Sequence, residues 1–235
     1  MNSSEKSEAN AADGHCVHRV VRCLDLFCAA GGAGMGLHRA GFDVTGVDIN
    51  PQPNYPFKFI QGDAMDTSLE GYDLVWASPP CQGYSAMQAI HKNSNKHPDL
   101  VEPMREKLKE WGGLWIIENV ANSPLKTHFM LCGTMFGLRI IKHRYFEASF
   151  QLPLMMPPCN HSDVYDPWHG KGRTAAKMQE AQGTPWIPQG GGGGRAAGKT
   201  GDLNNAIPPA YSEFLGKEAM KLLTPNAELS QSGSD

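Results

Sequence analysis

Leu74-Val75-Trp76-Ala77-Ser78-Pro79-Pro80-Cys81-Gln82-Gly83-Tyr84-Ser85 reads as a short buried strand that runs out into a rigid loop. Four apolar residues make the strand. Two prolines then fix successive φ angles, Gly83 lets the chain turn, and one thiol stands between them. A free cysteine is usually a small core hydrophobe, but flanking prolines and Gln-Gly are loop chemistry. A thiol just past the carboxyl end of a strand lies where α/β proteins place their reactive groups.

Outward from this loop, strands alternate with helical segments. Val20 to Phe27 is expected as a first strand, followed by the small-residue turn Ala29-Ala30-Gly31-Gly32-Ala33-Gly34-Met35-Gly36 and a short helix through Ala40 that Gly41 ends. Phe42 to Val47 is a second strand that hands over to Asp48. Phe57 to Gln61, after prolines 51, 53 and 56, is a third, ending at Gly62-Asp63. A polar, basic stretch from His91 to His97 reads as a mobile loop. Pro98 and Asp99 open a helix carrying Leu100, Val101, Met104, Leu108 and Trp111 at near-helical spacing. Leu114 to Ile117 is another buried strand, and it ends on Glu118-Asn119. A strand or hairpin pair is expected over Leu138 to Phe150, a short helix over Thr174 to Ala181, and a last helix after Pro208-Pro209 with Tyr211, Phe214, Leu215, Ala219, Leu222 and Leu223 on one face. Residues 1–18 and 225–235 read as tails. The alternation predicts a mostly parallel, doubly wound sheet.

At 235 residues the chain suits one α/β domain with a small appendage. Net charge is −3, so a nucleic-acid signal must be local. Residues 139–200 hold eight Lys and Arg against four acids. Six cysteines without CxxC pairs, and no apolar signal segment or membrane-length run, lead us to expect a reduced, soluble, cytoplasmic protein.

Strand, glycine turn, helix and an acidic strand end is how α/β folds hold a nucleoside, with the carboxylate on the ribose hydroxyls. Asp48 fits that place, and Asp63 could meet the base; capping of strand ends is the simpler role for both. The spacing is not the GxGxxG of dinucleotide enzymes, which argues against a nicotinamide oxidoreductase. Cys81 and Glu118, at the ends of neighbouring strands, would face the same crevice.

In order along the chain, Asp25-Leu26-Phe27 with Gly31-Gly32 and Gly36, Asp48, Gly62-Asp63, Pro79-Pro80-Cys81-Gln82-Gly83, Glu118-Asn119-Val120 and Asn205-Ala206-Ile207-Pro208-Pro209 resemble the S-adenosylmethionine-dependent DNA cytosine-5 methyltransferases, and among them the compact members that bacteriophages encode. The resemblance covers roughly residues 20–223. It implies a Rossmann-like methyltransferase core over 19–150, a reduced target-recognition region over 151–204, and a helix over 205–224 that completes the core. Phe27, Ala29, Gly31, Gly32, Gly36, Asp48, Ile49, Asp63, Ala64, Pro79, Asn205 and Ala206 would hold S-adenosyl-L-methionine. Pro80, Gln82, Gly83, Ser85, Asn119 and Lys142 would meet the substrate base or DNA, joined by Trp168, His169, Lys171 and Arg173 from the recognition region. A monomer acting on duplex DNA is implied.

The chemistry explains the residue types. Carbon 5 of cytosine is a poor nucleophile, so a thiolate, Cys81 by resemblance, adds to carbon 6 first. A carboxyl group, Glu118, supplies a proton or hydrogen bond near N3. A free thiol titrates near 8.5, so a cation such as Arg144 is expected beside it. The base must leave the duplex, and residues 82–97 are expected to close behind it.

Several positions depart from the family pattern. Ala29 replaces the first turn glycine, which narrows the approach to the methionine part of the cofactor. Ile140-Ile141-Lys142-His143-Arg144 stands where Gln-x-Arg-x-Arg is usual. Only residues 151–204 are available for target recognition. Gly193 to Thr200 matches GxxxxGK[ST], but it follows a glycine run rather than a strand, so it reads as a flexible basic linker. Cys159 and His161 suggest zinc, but a structural site wants four ligands and no second pair stands out, so no metal is expected. The rival readings are the same chemistry on RNA, although no signature of the tRNA-directed branch is present, and a catalytically silent binding module.

Overall fold

The computed structural model describes residues 19–80, 99–127, 129–154, 156–162, 164, 174–188 and 203–224. Seven strands form one sheet in the order β3-β2-β1-β4-β5-β7-β6. They are β1 (Arg22–Leu26), β2 (Asp43–Asp48), β3 (Lys58–Gln61), β4 (Leu74–Ala77), β5 (Leu114–Asn119), β6 (Phe129–Leu131) and β7 (Arg144–Ala148). β1 to β5 run parallel, whereas β7 is antiparallel to both β5 and β6. The order reverses between β1 and β4, and it is outside the carboxyl ends of strands at such a switch point that α/β sheets form their binding crevice.

Side-chain alternation sorts the strands onto two cores. Cys23, Leu74, Trp76 and Ile116 face α1 (Gly32–Arg39) and the last helix, α4 (Pro209–Leu223). Leu24, Leu26, Val75, Ala77, Trp115 and Ile117 face the other way, onto Val101, Met104 and Leu108 of α2 (Val101–Trp111). Helices on both faces make the sheet doubly wound, as expected. The alternation is incomplete, however: residues 49–57 and 62–73 cross between parallel strands without a helix. In the first of these crossings three prolines carry the chain over β2, and Tyr55 takes the place of a helix. Its ring lies against Gly46, where a Cβ would come within 2.3 Å of it, and its hydroxyl donates to Asp25 Oδ2 at 3.1 Å.

α1 and α4 pack closely because Gly36 has no side chain. A Cβ there would meet Pro209 O at 2.0 Å and Ser212 Oγ at 2.1 Å. Ser212 Oγ donates to Ala33 O at 2.8 Å, joining the two helices again.

The structure completes the sequence reading over 138–150 and corrects it over 151–204. Within 138–150 only β7 is a strand of any length, and its hairpin partner is β6, a three-residue strand too short to show a period. The region 151–204, whose proline- and glycine-rich sequence suggests little core, supplies most of a third apolar cluster: Met178 of α3 (Ala175–Gln182), Ile187 and Leu203 pack on Ala30 and Ala206 with Trp186 beside them. Trp186 Nε1 donates to Ala30 O at 2.9 Å, which seats this region on the glycine turn. Among the described residues no helix is long and apolar enough to cross a membrane.

Candidate active site

A cavity of about 340 Å3 opens at the carboxyl ends of β1, β2, β4 and β5, within the ~300–1,000 Å3 usual for small-molecule sites. The turn after β1 forms its floor through Phe27, Ala29 and Gly32, with Asp25 beneath. Asp48 and Ile49 come from the end of β2, Pro79 and Pro80 from the end of β4, Glu118 and Asn119 from β5, Arg144 from β7, and Asn205 and Ala206 from the approach to α4. Residues that the sequence places on separate strand ends thus share one wall-to-wall cavity.

The turn is bent sharply. Gly31 stands at φ 82° as the residue before α1, and Phe27 and Ala29 also have positive φ, 58° and 43°. For residues with a Cβ this left-handed region costs about 1–2 kcal/mol each. Asp48 braces the turn: its Oδ2 accepts from the Ala29 N–H at 3.1 Å and its Oδ1 from the Asn50 N–H at 2.9 Å. An ionised carboxylate has about four acceptor sites, so room for hydroxyl donors remains. Ile49, 64% exposed, offers an apolar face at the rim.

Asp25 was quoted in the sequence only as part of a motif, but the structure gives it a place in the site. It is buried beneath the cavity, and among the described residues Oδ1 has no hydrogen-bond partner. Burial pushes its carboxyl up to about 7, against the opposing effects of the Tyr55 hydroxyl and the Gly34 N–H. Its position was legible in principle as an acid on the inward face of β1.

At the far wall Arg144 Nε meets Glu118 Oε1 at 3.0 Å, with both side chains nearly enclosed. Burial raises the Glu118 carboxyl above its ordinary range, while Arg144, a Ser78 hydrogen bond and Lys142 act the other way. Burial thus favours the neutral carboxyl and Arg144 the charged one, and the cation orients the group. Asn119 Nδ2 donates to Pro79 O at 3.1 Å and ties the end of β4 to β5.

Other expected site residues lie elsewhere. Gly36 is enclosed between α1 and α4 and does not reach the cavity. Gly31 shapes the turn against Tyr55 and Pro56 rather than lining the site. Asp63 caps its own turn, accepting from the Met65 N–H at 2.8 Å, and Ala64 is packed in the α2-side core. Lys142, expected to meet the base or its phosphate, is buried: its ammonium donates to Gln182 Oε1 at 2.9 Å, Asn204 O at 3.0 Å and Ala206 O. All three donors are then used, and the residue is a strut between β7 and the third cluster. Burial, with Arg144 nearby, holds its ammonium well below the ordinary range. Cys81, Gln82, Gly83, Ser85, residues 86–97, Trp168, His169, Lys171 and Arg173 lie outside the described residues.

The sequence shows no second pair of ligand-type residues to join Cys159 and His161, but the structure supplies one. Cys132 and His143 bring the missing second pair of ligands to Cys159 and His161, in a cluster away from the cavity.

The fold is Rossmann-like, a mostly parallel, doubly wound sheet with its cavity at the switch point. Across 89% of this chain and 99% of the other, the structure superposes on the methyltransferase EhMeth of Entamoeba histolytica with a TM-score of 0.58 and 11% identity, a likeness of fold. Residues 21–123 match the family model for C-5 cytosine-specific DNA methylases. Among curated proteins, 73 residues are 36% identical to the 23S rRNA (uracil(747)-C(5))-methyltransferase of Pyrococcus horikoshii, covering 26% of this chain and 18% of that one. In a separate comparison, 84 residues are 30% identical to the type II methyltransferase M.AgeI of Thalassovita gelatinovora, covering 28% of this chain and 20% of that one. The chain thus spans about a fifth of the length of these relatives.

Proposed function

We propose that this protein transfers a methyl group from S-adenosyl-L-methionine to C5 of cytosine in DNA. The observation that carries the reading is that Asp48 and the Glu118–Arg144 pair, which come from opposite sides of the switch point between β1 and β4, line one cavity beside Pro79 and Pro80. The cofactor fits the residues present. Asp48 keeps acceptors for ribose hydroxyls, Ile49 offers its face to a base, and the unpartnered, buried Asp25 Oδ1 suits the donor or positive charge of a sulfonium amino acid. When bound, it supplies an electrophilic methyl group.

The chain's own residues do the rest. Cys81 directly follows Pro80 at the cavity mouth in sequence, and its thiolate adds to carbon 6 of the flipped base. Glu118, its carboxyl raised by burial and held by Arg144, supplies a proton or hydrogen bond at N3 as charge develops there. Once C5 is methylated, a base removes the C5 proton, the electron pair re-forms the C5–C6 double bond, and the Cys81 thiolate leaves. Trp168, Lys171 and Arg173, with Gln82, Gly83 and Ser85, belong to the surface that meets DNA in this reading.

The similarity to an rRNA uracil-C5 enzyme favours a second substrate class, RNA, for the same carbon-5 chemistry. Duplexes and RNAs in which 5-fluorocytosine replaces cytosine separate the two, because a C5 fluorine cannot leave as a proton and the adduct stays on the protein. A denaturant-resistant, cofactor-dependent complex with DNA, absent in Cys81→Ser, is the expected result. A complex with RNA alone moves the substrate to the second class, and none with either contradicts the covalent route.

A further inference from the structure

Away from the cavity, four ligand-type side chains converge from three separate parts of the chain. Cys132 follows β6, His143 immediately precedes β7, and Cys159 and His161 lie on the segment after β7. Their ligand atoms all fall within 4.8 Å of one another. His143 Nε2 and His161 Nε2 are 3.2 Å apart, Cys132 Sγ and His161 Nε2 3.5 Å, and Cys159 Sγ and His143 Nε2 3.8 Å. A tetrahedral zinc with Zn–N near 2.05 Å and Zn–S near 2.3 Å has edges of about 3.3 Å for N···N and about 3.6 Å for N···S. The side chains already stand at those separations.

We infer that Cys132, His143, Cys159 and His161 form a structural zinc site. The donor set supports a soft, tetrahedral cation: two thiolates neutralise its charge and two imidazoles complete four positions, leaving none for substrate. Two donors orient the Cys132 sulfur. The Thr134 hydroxyl donates to Cys132 Sγ at 3.4 Å, and the Met135 N–H points at the same sulfur from the 3-10 turn at Gly133–Phe136.

The site also answers a packing problem. Residues 149–162 have neither helix nor strand among the described residues, and most of their side chains are not buried. Phe150, Leu152 and Met156 pack on the first core, and a metal would anchor the stretch beyond them. The anchor is His143, whose carbonyl accepts from Arg144 Nη1 at 2.9 Å, so the zinc and the Glu118-bound arginine lie on adjacent residues.

The test uses the full chain. Protein purified from zinc-supplemented medium is expected to hold about one zinc per chain. After stripping under reducing conditions, titration with Co2+ is expected to give the strong visible bands of a tetrahedral ion and a near-ultraviolet sulfur-to-cobalt charge-transfer band, saturating at one equivalent. In the double variant Cys159→Ser/His161→Asn, both on the outer segment, circular dichroism should be unchanged and Co2+ affinity should fall by well over the ~10–100-fold that losing an outer partner of a ligand costs. Zinc-free protein that takes up no Co2+, a weak octahedral spectrum, or wild-type cobalt binding in the double variant would each overturn the assignment.

Discussion

Ala29 holds φ 43° at the floor of the cavity, in a conformation that glycine adopts freely. Relief of the left-handed penalty, about 1–2 kcal/mol, outweighs glycine's greater loss of chain entropy, about 0.5–1 kcal/mol. Ala29→Gly is therefore expected to raise stability by up to about 1 kcal/mol in urea unfolding; a clear loss would mean that the Ala29 methyl makes a contact worth more than its strain. Asp25 gives a pH dependence. Its carboxyl titrates near 3.8 when unfolded and about 7 when folded, so between those values the folded chain holds a proton that the unfolded chain has released. Stability from this group is greatest below pH 4 and declines by up to about 1.4 kcal/mol per unit as pH rises to 7. Asp25→Asn should flatten that decline between pH 4.5 and 7, and an unchanged slope would show that the group ionises normally. Asp48 and Glu118 were readable as site residues because strand ends face one crevice whatever the loops do. Lys142 was not: residue type suggests a phosphate contact, and only the third cluster, built by residues 178–206, shows that its charge is used inside.

At the scale of elements, α2 is clasped to β7 by Arg105. Its guanidinium, wholly buried, meets Glu147 with Nε–Oε1 at 2.7 Å and Nη2–Oε2 at 2.8 Å, while Nη2 also donates to Pro124 O and Nη1 pairs with Glu102. Removing one partner of such a pair leaves a buried charge and costs about 3–5 kcal/mol. Glu147→Leu is expected to show that loss by denaturant unfolding, and Arg105→Met with Glu147→Leu should recover much of it. Equal destabilisation in the single and double variants would mean that the clasp acts through something other than charge pairing. The helices and long strands were legible from periodicity. The short β6 gives no such signal, and neither does the cysteine–histidine cluster, whose ligands span 132–161 without the paired spacing by which zinc sites are read.

Over the whole molecule, the seven-stranded sheet aims four strand ends at one cavity, and the region between β7 and α4 leans on its floor through Trp186 and on its wall through Lys142. A region rich in proline and glycine thereby becomes part of the site's frame, which composition alone could not reveal. The central claim is that this cavity methylates cytosine at carbon 5. Its most direct test is transfer of radiolabelled methyl from S-adenosyl-L-methionine to unmodified duplex DNA and, in parallel, to RNA, by wild type, Glu118→Gln and Cys81→Ala, followed by digestion to nucleosides. Label in 5-methyldeoxycytidine, reduced at least ~100-fold in Glu118→Gln and lost in Cys81→Ala, is the predicted result. Wild-type label in another nucleoside, or label that survives Cys81→Ala, would contradict it.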